Sequence, residues 1–408
     1  MIAPSSLGIY LSIPFCRSKC TYCNFASGVY PASEHGRYVD RLIGELRGAA
    51  QDAARDGVVL PQSVDTIYLG GGTPSLLEPA LLVRLFATLR SEFALRDDAE
   101  ITMECAPGQI ADATLDAMVA VGVNRVSLGV QSFIDCEARS CGRLHTRAIV
   151  LEDLKRLAGA GIHNVNVDLI AGLAGQTFDS WNESVGVLIE TGVRHASVYM
   201  LEVDEDSRLG REVLAGGVRY QAELVPNDDS IARMYQHAVD VLEAAGRMQY
   251  EISNFALPGD ESRHNLRYWQ RKPYLGLGLD ASSMLYASEP GQRTGVLRWT
   301  TTSDLGAFLA GAERAETCAI GDAQQLEEAW FLGLRMNAGV QLEALKQEFG
   351  EPGTDASMEI AARLAAEGLL RFRDGWVQLT PRGRMLSNDV FQEFIAMESP
   401  AERTNQSA

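Results

Sequence analysis

The fold is decided by the stretch Ile9-Tyr-Leu-Ser-Ile-Pro-Phe-Cys-Arg-Ser-Lys-Cys-Thr-Tyr-Cys-Asn-Phe25. Its apolar start, residues 9–13, predicts a buried strand that ends at Pro14. Three cysteines with the spacing Cys-x3-Cys-x2-Cys follow Pro14. Their thiolates can hold three irons of a four-iron cluster, which usually takes four protein ligands. The loop therefore predicts an iron–sulfur cluster with one iron left for another ligand. The three cysteines are Cys16, Cys20 and Cys23.

A structural zinc site is the alternative interpretation of this cysteine loop. Zinc in structural sites is four-coordinate, with Cys and His ligands closing a tetrahedron. Position 24 is Asn, and no His lies between residues 9 and 25. Because the fourth ligand is missing and the loop directly follows a first strand, the sequence favours the iron–sulfur cluster.

The pattern Tyr10-x3-Pro14-Phe15-Cys16-x3-Cys20-x-Tyr22-Cys23 resembles the signature of radical S-adenosylmethionine (SAM) proteins. Within them it is similar to the branch that contains anaerobic coproporphyrinogen oxidase and a group of haem chaperones. The resemblance implies a [4Fe-4S] cluster held by the three cysteines, with SAM bound to the open iron through its amino and carboxylate groups. It also implies that an electron from the cluster cleaves SAM to a 5′-deoxyadenosyl radical.

Length and composition predict a large globular protein. The chain has 408 residues, of which 46% are hydrophobic and 22% charged, and both fractions are ordinary for a soluble domain. This length predicts one large core and a smaller domain. The sequence has no long apolar run that predicts a transmembrane helix. Its first residues lack the features of a signal peptide, so we expect a cytoplasmic protein.

Charge and cysteine content restrict the partners and the compartment. The formal net charge of −18 argues against a nucleic-acid partner, which would need a basic face. It also opposes binding to anionic lipid. The other four cysteines have no evident pairing, so we expect free thiols in a reducing compartment. They are Cys105, Cys136, Cys141 and Cys318.

Strand-like and helical segments alternate along the first 252 residues. Strands are predicted at 9–13, 64–69, 100–103, 125–128, 165–169, 196–200 and 248–252. Helices are predicted at 36–54, 79–92, 112–120, 147–160, 179–190 and 229–245. Such alternation predicts parallel strands joined by crossover helices. Six or seven units are too few for a closed barrel, so we predict an α/β fold: an open, partial (β/α) barrel with its chemistry at the carboxyl ends of the strands.

The sequence changes character after residue 300. Residues 324–397 predict mainly helices and one hairpin, in which 369–373 and 376–379 flank the turn Asp374-Gly375. This order looks like a small winged-helix module, and its lack of basic residues suggests packing or partner contact. We therefore predict a barrel domain at 1–300, a C-terminal helical, winged-helix-like domain at 301–398 and a flexible tail at 399–408.

Glycines and polar residues at the predicted strand ends suit SAM. Residues 70–73, Gly-Gly-Gly-Thr, follow the second strand, where glycine lets the backbone approach a ligand and adopt positive φ. They resemble the family stretch that receives the SAM amino group, in particular Gly71, Gly72 and Thr73. SAM also offers a carboxylate for Arg and ribose hydroxyls for carboxylates or an amide. The resemblance implies that these contacts come from Tyr10, Tyr22, Glu104, Gln131, Arg143 and Asp168.

Each of these polar residues has a second interpretation. Taken singly, a polar side chain at a strand end is typical of a hydrogen-bonded residue at a barrel rim. The branch can also hold a second SAM, so the resemblance leaves open which molecule each residue contacts. The sequence assigns no catalytic residue.

Two sequence features distinguish the haem chaperones of this branch from the coproporphyrinogen oxidase. The oxidase has a further cysteine two residues after the third, and this chain has Phe25 there. Residues 264–269, His-Asn-Leu-Arg-Tyr-Trp, resemble the chaperones' haem motif His-Asn-x-x-Tyr-Trp. The resemblance thus implies a haem chaperone that passes haem to acceptor haemoproteins. A radical SAM oxidase acting on coproporphyrinogen is the alternative, and the acidity of the chain disfavours a third class, a DNA-binding regulator.

The motif predicts that His264 is an axial haem ligand. Imidazole is a common ligand of haem iron, and the rings of Tyr268 and Trp269 are suited to packing on a porphyrin. A His beside Tyr and Trp is also typical of a surface loop packed on core aromatic residues. His145 and His195 are alternative ligands, since both are predicted near the barrel mouth.

The resemblance also implies partners. These are a haem donor, acceptor haemoproteins and an electron donor for the cluster; transient membrane association and a homodimer stay open. Three positions depart from the family pattern. Ser12 and Ser282 stand where relatives often have His, and Ala174 stands where Pro is usual. The first departure puts in question any role of that position in electron or proton delivery.

Overall fold

Strands and helices alternate along the first half of the computed structural model, which describes residues 6–287, 295–312 and 314–395. The first six predicted strands and all six predicted helices are confirmed, with small shifts at their ends. The strands are β1 (Leu7–Ile13), β2 (Ser63–Gly71), β3 (Ala94–Cys105), β4 (Arg125–Gln131), β5 (Asn164–Ala171) and β6 (His195–Met200). The helices between them are α1 (Ser33–Arg55), α2 (Pro79–Glu92), α3 (Asp112–Val121), α4 (Asp135–Ser140), α5 (Arg147–Gly159) and α6 (Phe178–Glu190).

The second half of the barrel region is less regular. Its elements are α7 (Arg208–Leu214), α8 (Asp228–Ala244), β7 (Met248–Glu251), β8 (Asn254–Ala256), α9 (Arg263–Trp269), β9 (Tyr274–Leu277), β10 (Ser282–Tyr286), β11 (Val296–Thr300), α10 (Leu305–Leu309) and β12 (Glu316–Ile320). Within the described residues, one twelve-stranded sheet runs in the order β12-β11-β10-β9-β1-β2-β3-β4-β5-β6-β8-β7. It does not close on itself, so the predicted open α/β barrel is confirmed.

The seventh predicted strand is confirmed as β7, but it does not pair with β6 as a parallel strand. Residues Met248–Glu251 form an edge strand antiparallel to β8, which in turn is antiparallel to β6. Two residues join β7 to β8, and a connection this short makes a hairpin, because a parallel pair needs a long crossover. The seventh strand of the parallel set is instead β9, which pairs with β1 on its free side.

Side chains of the parallel strands alternate between an outer and an inner face. On β1 the residues Leu7, Ile9, Leu11 and Ile13 are fully buried in the main core, which also holds the apolar sides of the crossover helices. The other positions face the concave interior, where Tyr10 stacks on Tyr68 with ring centroids 6.1 Å apart. Because the period of a strand is two, polar residues collect on this inner face. The inner face therefore carries the chemistry and the outer face carries the packing.

The boundary between the two cores falls later than residue 300. Strand β12 still belongs to the large sheet, and Leu305 and Phe308 of α10 pack into the main core. The second core begins with Leu326. We therefore propose that the first domain extends to about residue 321. The predicted tail, 399–408, lies outside the described residues.

The C-terminal domain has its own core and a small sheet. Its elements are α11 (Asp322–Arg335), β13 (Val340–Gln341), α12 (Leu342–Phe349), α13 (Glu351–Ala366), β14 (Leu370–Arg373), β15 (Trp376–Leu379), α14 (Pro381–Met385) and α15 (Ser387–Ile395). The predicted hairpin is confirmed as β14 and β15, with Asp374 at a φ of 50° and Gly375 at 80° in its turn. Trp330 stacks on Phe394 at the centre of this core, with centroids 4.6 Å apart.

The two domains are joined by hydrogen bonds and an ion pair. Arg271 donates two bonds to the carboxylate of Glu348, at 2.7 and 2.6 Å. The Ile252 N–H donates to the Arg335 carbonyl at 3.2 Å. These contacts hold the second domain against the open side of the barrel. Among the residues that the structure describes, none of the helices combines the length and the apolar character that crossing a membrane requires.

Candidate functional site

The carboxyl ends of the parallel strands surround a cavity of about 560 Å³. Pockets for cofactors are typically of roughly this size, about 300–1,000 Å³. Eleven of the residues predicted for the cluster and SAM line this cavity: Cys16, Cys20, Cys23, Tyr22, Gly71, Gly72, Thr73, Glu104, Gln131, Arg143 and Asp168. The other four predicted residues are not part of its wall: Tyr10, His264, Tyr268 and Trp269.

All three loop cysteines are free thiols on the cavity wall. The sulfur of Cys16 lies 3.9 Å from the Thr73 hydroxyl, and that of Cys23 lies 3.9 Å from the Ser27 hydroxyl. Burial raises the pKa of the Cys16 thiol. No three His, Cys, Asp or Glu side chains of the described ranges converge as ligands of one metal ion. A cubane cluster binds each thiolate through a different iron, so its ligands need not converge on one point.

The remaining four cysteines are also free thiols. Cys136 and Cys318 are exposed, whereas Cys105 and Cys141 are buried. Burial raises the pKa of both buried thiols to about 12. These two groups are therefore neutral at physiological pH.

A helix that follows β6 fixes the cysteine loop. The N–H of Leu209 in α7 donates to the Thr21 carbonyl at 2.8 Å. The guanidinium of Arg208 donates to the Lys19 carbonyl. No helix was predicted at this position. Ser207 is a typical N-cap residue, and its hydroxyl accepts a hydrogen bond from the Gly210 N–H. The loop is thus held by the far side of the barrel as well as by β1.

The glycine triplet ties β2 to the base of the cysteine loop. The N–H of Gly72 donates to the Ile13 carbonyl at 2.9 Å, and that of Thr73 donates to the Phe15 carbonyl at 2.8 Å. A Cβ at Gly72 would lie 2.8 Å from the Ile13 carbonyl oxygen, so only glycine fits. Gly71 has a φ of 98°, the left-handed conformation that glycine adopts without strain.

Two carboxyl groups line the cavity from neighbouring positions on the inner face. Glu104 accepts a hydrogen bond from the Tyr68 hydroxyl at 2.9 Å. Asp168 accepts from Asn166 at 2.7 Å and from Ser127 at 3.2 Å. Burial raises the pKa of Glu104 to about 7 and also raises the pKa of Asp168. Both carboxyls are held by neutral donors, which leaves them able to accept hydrogen bonds from ligand hydroxyls or amines.

Gln131 ends β4 in a left-handed conformation, with a φ of 71°. The ladder between β4 and β5 shifts register between Gly129 and Gln131. Positive φ is rare for residues other than glycine, and it clusters at functional sites where the surrounding structure imposes it. The irregularity directs the strand end into the cavity wall. It supports the predicted site role of Gln131.

Arg143 joins the strand ends to the cysteine loop. Its Nε donates to the Gly129 carbonyl at 2.9 Å, and its Nη1 lies 3.5 Å from the Cys20 sulfur. Burial lowers the pKa of Arg143, but its neighbours Tyr22, Cys20 and Cys141 raise it, and the net shift of the pKa is upward. The cavity therefore holds a permanent cation beside one of its thiols.

The two tyrosines predicted for the site differ in position. Tyr22 lines the cavity and packs against the small cluster of Cys141, Ile170 and Leu173, and burial raises its pKa well above the ordinary value. Tyr10 lies in the layer beneath, stacked on Tyr68. The structure thus brings one of the two tyrosines to the cavity.

The serines that depart from the family pattern do not line the cavity. Ser12 is buried on β1. The hydroxyl of Ser282 shares a hydrogen bond with that of Thr300 at 2.8 Å. Both side chains thus take part in the packing around the sheet.

The predicted haem motif lies on α9, inside the barrel and below the cavity. His264 is 1% exposed. Its Nδ1 lies 2.9 Å from the Thr66 hydroxyl, and its Nε2 lies 2.9 Å from the Tyr268 hydroxyl. Both ring nitrogens are therefore occupied in this conformation, and burial lowers the pKa of the ring to about 3. Trp269 contacts the C-terminal domain, with the Arg335 guanidinium 4.3 Å from its ring centroid.

The two alternative histidines are placed differently. His195 is buried, with Nδ1 2.7 Å from Asn166 and Nε2 2.9 Å from Tyr250, and it does not line the cavity. His145 does line the cavity. Its Nε2 is buried and has no hydrogen-bond partner among the described residues.

Part of the cavity wall comes from the C-terminal domain, which the sequence pattern did not predict. Arg335 of α11 and Ser387 and Asn388 of α15 line the same cavity as the cysteines. A helical pattern places a residue on a helix but does not show which other domain it faces. The site is therefore built by both domains, with the motif residue Trp269 packed beneath Arg335.

The donor set of the cavity fits a cluster and SAM. Three thiols on one side leave a cubane with one open position. Arg143 provides a cation for a carboxylate, while Glu104 and Asp168 provide acceptors for an amine or for hydroxyls. This arrangement suits a zwitterionic ligand that carries a ribose.

Comparison with protein families gives two matches. Residues 10–188 match the radical SAM superfamily. Residues 322–386 match the HemN C-terminal domain. The first range contains the cysteine loop and the ends of β1 to β5, and the second contains most of the C-terminal domain.

Curated relatives match almost the whole chain. The chain is 32% identical to the haem chaperone HemW of Lactococcus lactis subsp. lactis, over 95% of this chain and 96% of the relative. It is 30% identical to the haem chaperone HemW of Escherichia coli, over 97% of this chain and 100% of the relative. It is 33% identical to the haem chaperone HemW of Synechocystis sp., over 95% of this chain and 96% of the relative.

A solved structure matches the fold. The radical SAM enzyme coproporphyrinogen III oxidase (HemN) from Escherichia coli superposes with a TM-score of 0.81, over 96% of this chain and 90% of that one. The sequence identity is 23%, so this likeness shows the fold alone. The full-length sequence matches decide the family: the chain belongs to the haem chaperone HemW family of radical SAM proteins.

Proposed function

We propose that this protein is a haem chaperone that binds haem and transfers it to acceptor haemoproteins. The observation that carries the proposal is the match to curated haem chaperones at 30–33% identity over at least 95% of the chain. A haem donor and an electron donor for the cluster are the further partners that this role requires.

The resident cofactors of the proposal are a [4Fe-4S] cluster and SAM. Cys16, Cys20 and Cys23 would hold the cluster, which supplies one-electron chemistry when bound. Gly71, Gly72, Thr73, Gln131 and Tyr22 would form the SAM pocket around the open position, together with Glu104, Arg143 and Asp168. The clustering of these side chains on one cavity wall supports this assignment.

The chain's own residues prepare the cavity for such ligands. Arg143 places a positive charge 3.5 Å from the Cys20 sulfur, where it would offset the negative charge of a bound anionic group. The neutral form of Glu104 is accessible at physiological pH because its pKa is about 7. Glu104 can therefore hold or release a proton at its carboxyl oxygen when a charged amine enters the cavity.

An oxidase acting on coproporphyrinogen is the competing function. The observation on its side is the match of residues 322–386 to the HemN C-terminal domain. Phe25 argues against it, because the oxidase branch has a cysteine at this position. Phe25 is 63% exposed and lines the cavity mouth, where it contributes an apolar surface and no thiol.

Anaerobic reconstitution tests the proposal. The reconstituted protein is titrated with haemin, and the loaded protein is then mixed with apomyoglobin while the myoglobin Soret band is followed. We expect saturable haem binding and haem transfer faster than from albumin of equal haem load. The Cys20→Ala variant serves as the control for any contribution of the cluster.

A second assay separates the two functions. The same preparation is incubated with coproporphyrinogen, SAM and a reductant under anaerobic conditions. We expect no vinyl product above the level of a sample without protein. Catalytic formation of that product, together with absent haem transfer, would reject the chaperone and establish the oxidase.

A further inference from the structure

We infer that His145, through its Nε2, is the protein ligand that the haem iron takes at this cavity. The inference rests on the proposed haem-chaperone function and names the residue that would deliver it. It also moves the expected ligand away from the haem motif on α9. Three separate observations support it: the free ring nitrogen, the comparison with the other histidines, and the apolar rim beside it.

The ring of His145 is oriented as a metal-ligating imidazole is. The Val130 carbonyl lies beside the ring and favours its protonated form, as a hydrogen-bond acceptor does. Nε2 has no hydrogen-bond partner among the described residues, so the tautomer with its proton on Nδ1 leaves the Nε2 lone pair free. Ligating histidines nearly always donate their other ring N–H to a carbonyl or carboxylate, which fixes the tautomer. The side chain is 5% exposed, so its free nitrogen is buried in the cavity wall.

The imidazole is also neutral, as a ligand must be. Burial, with Arg143 nearby, lowers the pKa of His145 to about 4. An unpartnered nitrogen in a buried wall costs free energy unless a ligand or water satisfies it. The position is therefore prepared for a group that accepts a lone pair.

The other five histidines lack this combination. His264 and His195 have both ring nitrogens occupied. His35 is stacked on Phe15 with centroids 3.9 Å apart. None of the five lines the cavity: His35, His163, His195, His237 and His264. His145 is therefore the one histidine of the described residues that lines this cavity, and its Nε2 is a buried nitrogen without a hydrogen-bond partner.

An apolar rim lies beside His145. Leu144, its neighbour in sequence, is 62% exposed, Phe25 is 63% exposed and Tyr199 is 41% exposed. All three line the same cavity. Exposed apolar side chains gathered at one cavity mouth mark a binding site for an apolar ligand or partner. A flat porphyrin ligated by His145 would find its hydrophobic contacts on this rim, and the exposed Arg17 on the same wall would pair with its carboxylates.

Two substitutions test the inference in the reconstituted full-length protein. His145→Ala removes the side chain, and His145→Asn keeps a polar side chain but offers no imidazole. Haemin is titrated into each while the Soret band and the low-spin electron paramagnetic resonance signal are recorded. We expect affinity to fall by about tenfold or more, the lower end of what disturbing a ligand sphere costs. Added imidazole should restore the wild-type spectrum of His145→Ala.

Controls separate ligation from folding. His163→Ala changes an exposed histidine outside the cavity and should bind haem as the wild type does. Iron content and SAM affinity should be unchanged in both His145 variants. Wild-type spectra and affinity in both variants would overturn the inference and leave the chaperone function intact, as would loss of SAM binding with an unchanged haem spectrum. Failure of the wild type to bind haem would overturn the proposed function as well.

Discussion

The guanidinium of Arg143 lies 3.5 Å from the sulfur of Cys20, although the two residues are 123 positions apart in the chain. The same guanidinium is anchored on the Gly129 carbonyl at the end of β4. A cation is thus fixed between the predicted cluster ligand and the strand ends predicted to bind SAM. This contact connects the two halves of the site and sets the first two predictions.

Arg143→Ala should weaken SAM binding by about 1.5–3 kcal/mol, because a charge-assisted hydrogen bond to the SAM carboxylate is lost. The measurement is equilibrium binding of SAM to the reconstituted protein. Arg139→Ala changes an exposed arginine of α4 and should leave the affinity unchanged. An unaltered affinity in Arg143→Ala would remove the basis for assigning this residue to SAM.

Gly129→Ala should disturb the same contact through sterics. A Cβ at this position would overlap the Arg143 guanidinium, so the arginine must move away from its anchor. We expect weaker SAM binding and a loss of stability of about 1–3 kcal/mol from overpacking. Gly159→Ala is the matched control, because it lies in α5 with open space around it. That change should stabilise the helix by up to about 1 kcal/mol. Thermal unfolding measures the stability of both variants.

Alanine substitution of each cysteine should divide the seven into two groups. Iron content and the visible charge-transfer band should be lost only for Cys16, Cys20 and Cys23, because these three share the loop on the cavity wall. The buried pair Cys105 and Cys141 tests this most sharply. Cys105 also lines the cavity, and iron loss in Cys105→Ala equal to that in Cys20→Ala would refute the ligand set.

Glu104 should make the stability of the ligand-free protein depend on pH. Its folded pKa is about 7, against 4.5 for the free side chain. Between these values the folded state binds more protons than the unfolded state, so its contribution to stability falls as pH rises. Glu104→Gln should remove this pH dependence, which amounts to a change on the order of 3 kcal/mol in the free energy of unfolding between pH 4.5 and 7. Denaturant unfolding over this pH range measures it. Glu190→Gln, at an exposed position of α6, should keep the slope, and an identical slope in both variants would contradict the assignment.

His264→Ala should act first on folding. The substitution leaves the Thr66 and Tyr268 hydroxyls buried without their partner, which costs about 2–4 kcal/mol with the cavity that forms. The folded pKa is about 3 and the ordinary value 6.5. The unfolded state therefore binds the extra proton in this range, and wild-type stability should fall as pH drops from 6.5 towards 3.

Denaturant titrations of the wild type and His264→Ala check this, with His163→Ala as the exposed control. If His264→Ala kept full stability but lost the haem spectrum, the motif histidine would be the ligand after all.

The sequence by itself determined the local chemistry and the layers of the fold. Three cysteines after an apolar strand are a local pattern, and so is the glycine triplet after the next strand. The crossover helices were readable because helical periodicity extends over ten to twenty residues. Polar residues at successive strand ends predicted a shared edge, because parallel strands bring their carboxyl ends together. Glu104, Gln131 and Asp168 do meet there.

Only the tertiary structure decided what covers the cavity and which histidine faces it. Short strands such as β7 and β9 carry too few residues to specify their neighbours, so the seventh parallel strand was assigned to the wrong segment. The pattern of α9 did not reveal that His264 points into the barrel interior, since burial of a seven-residue helix depends on the sheet around it. Arg335 and Asn388 reach the site from a separate core. Long-range packing sets these positions, and it leaves no periodic trace in the sequence.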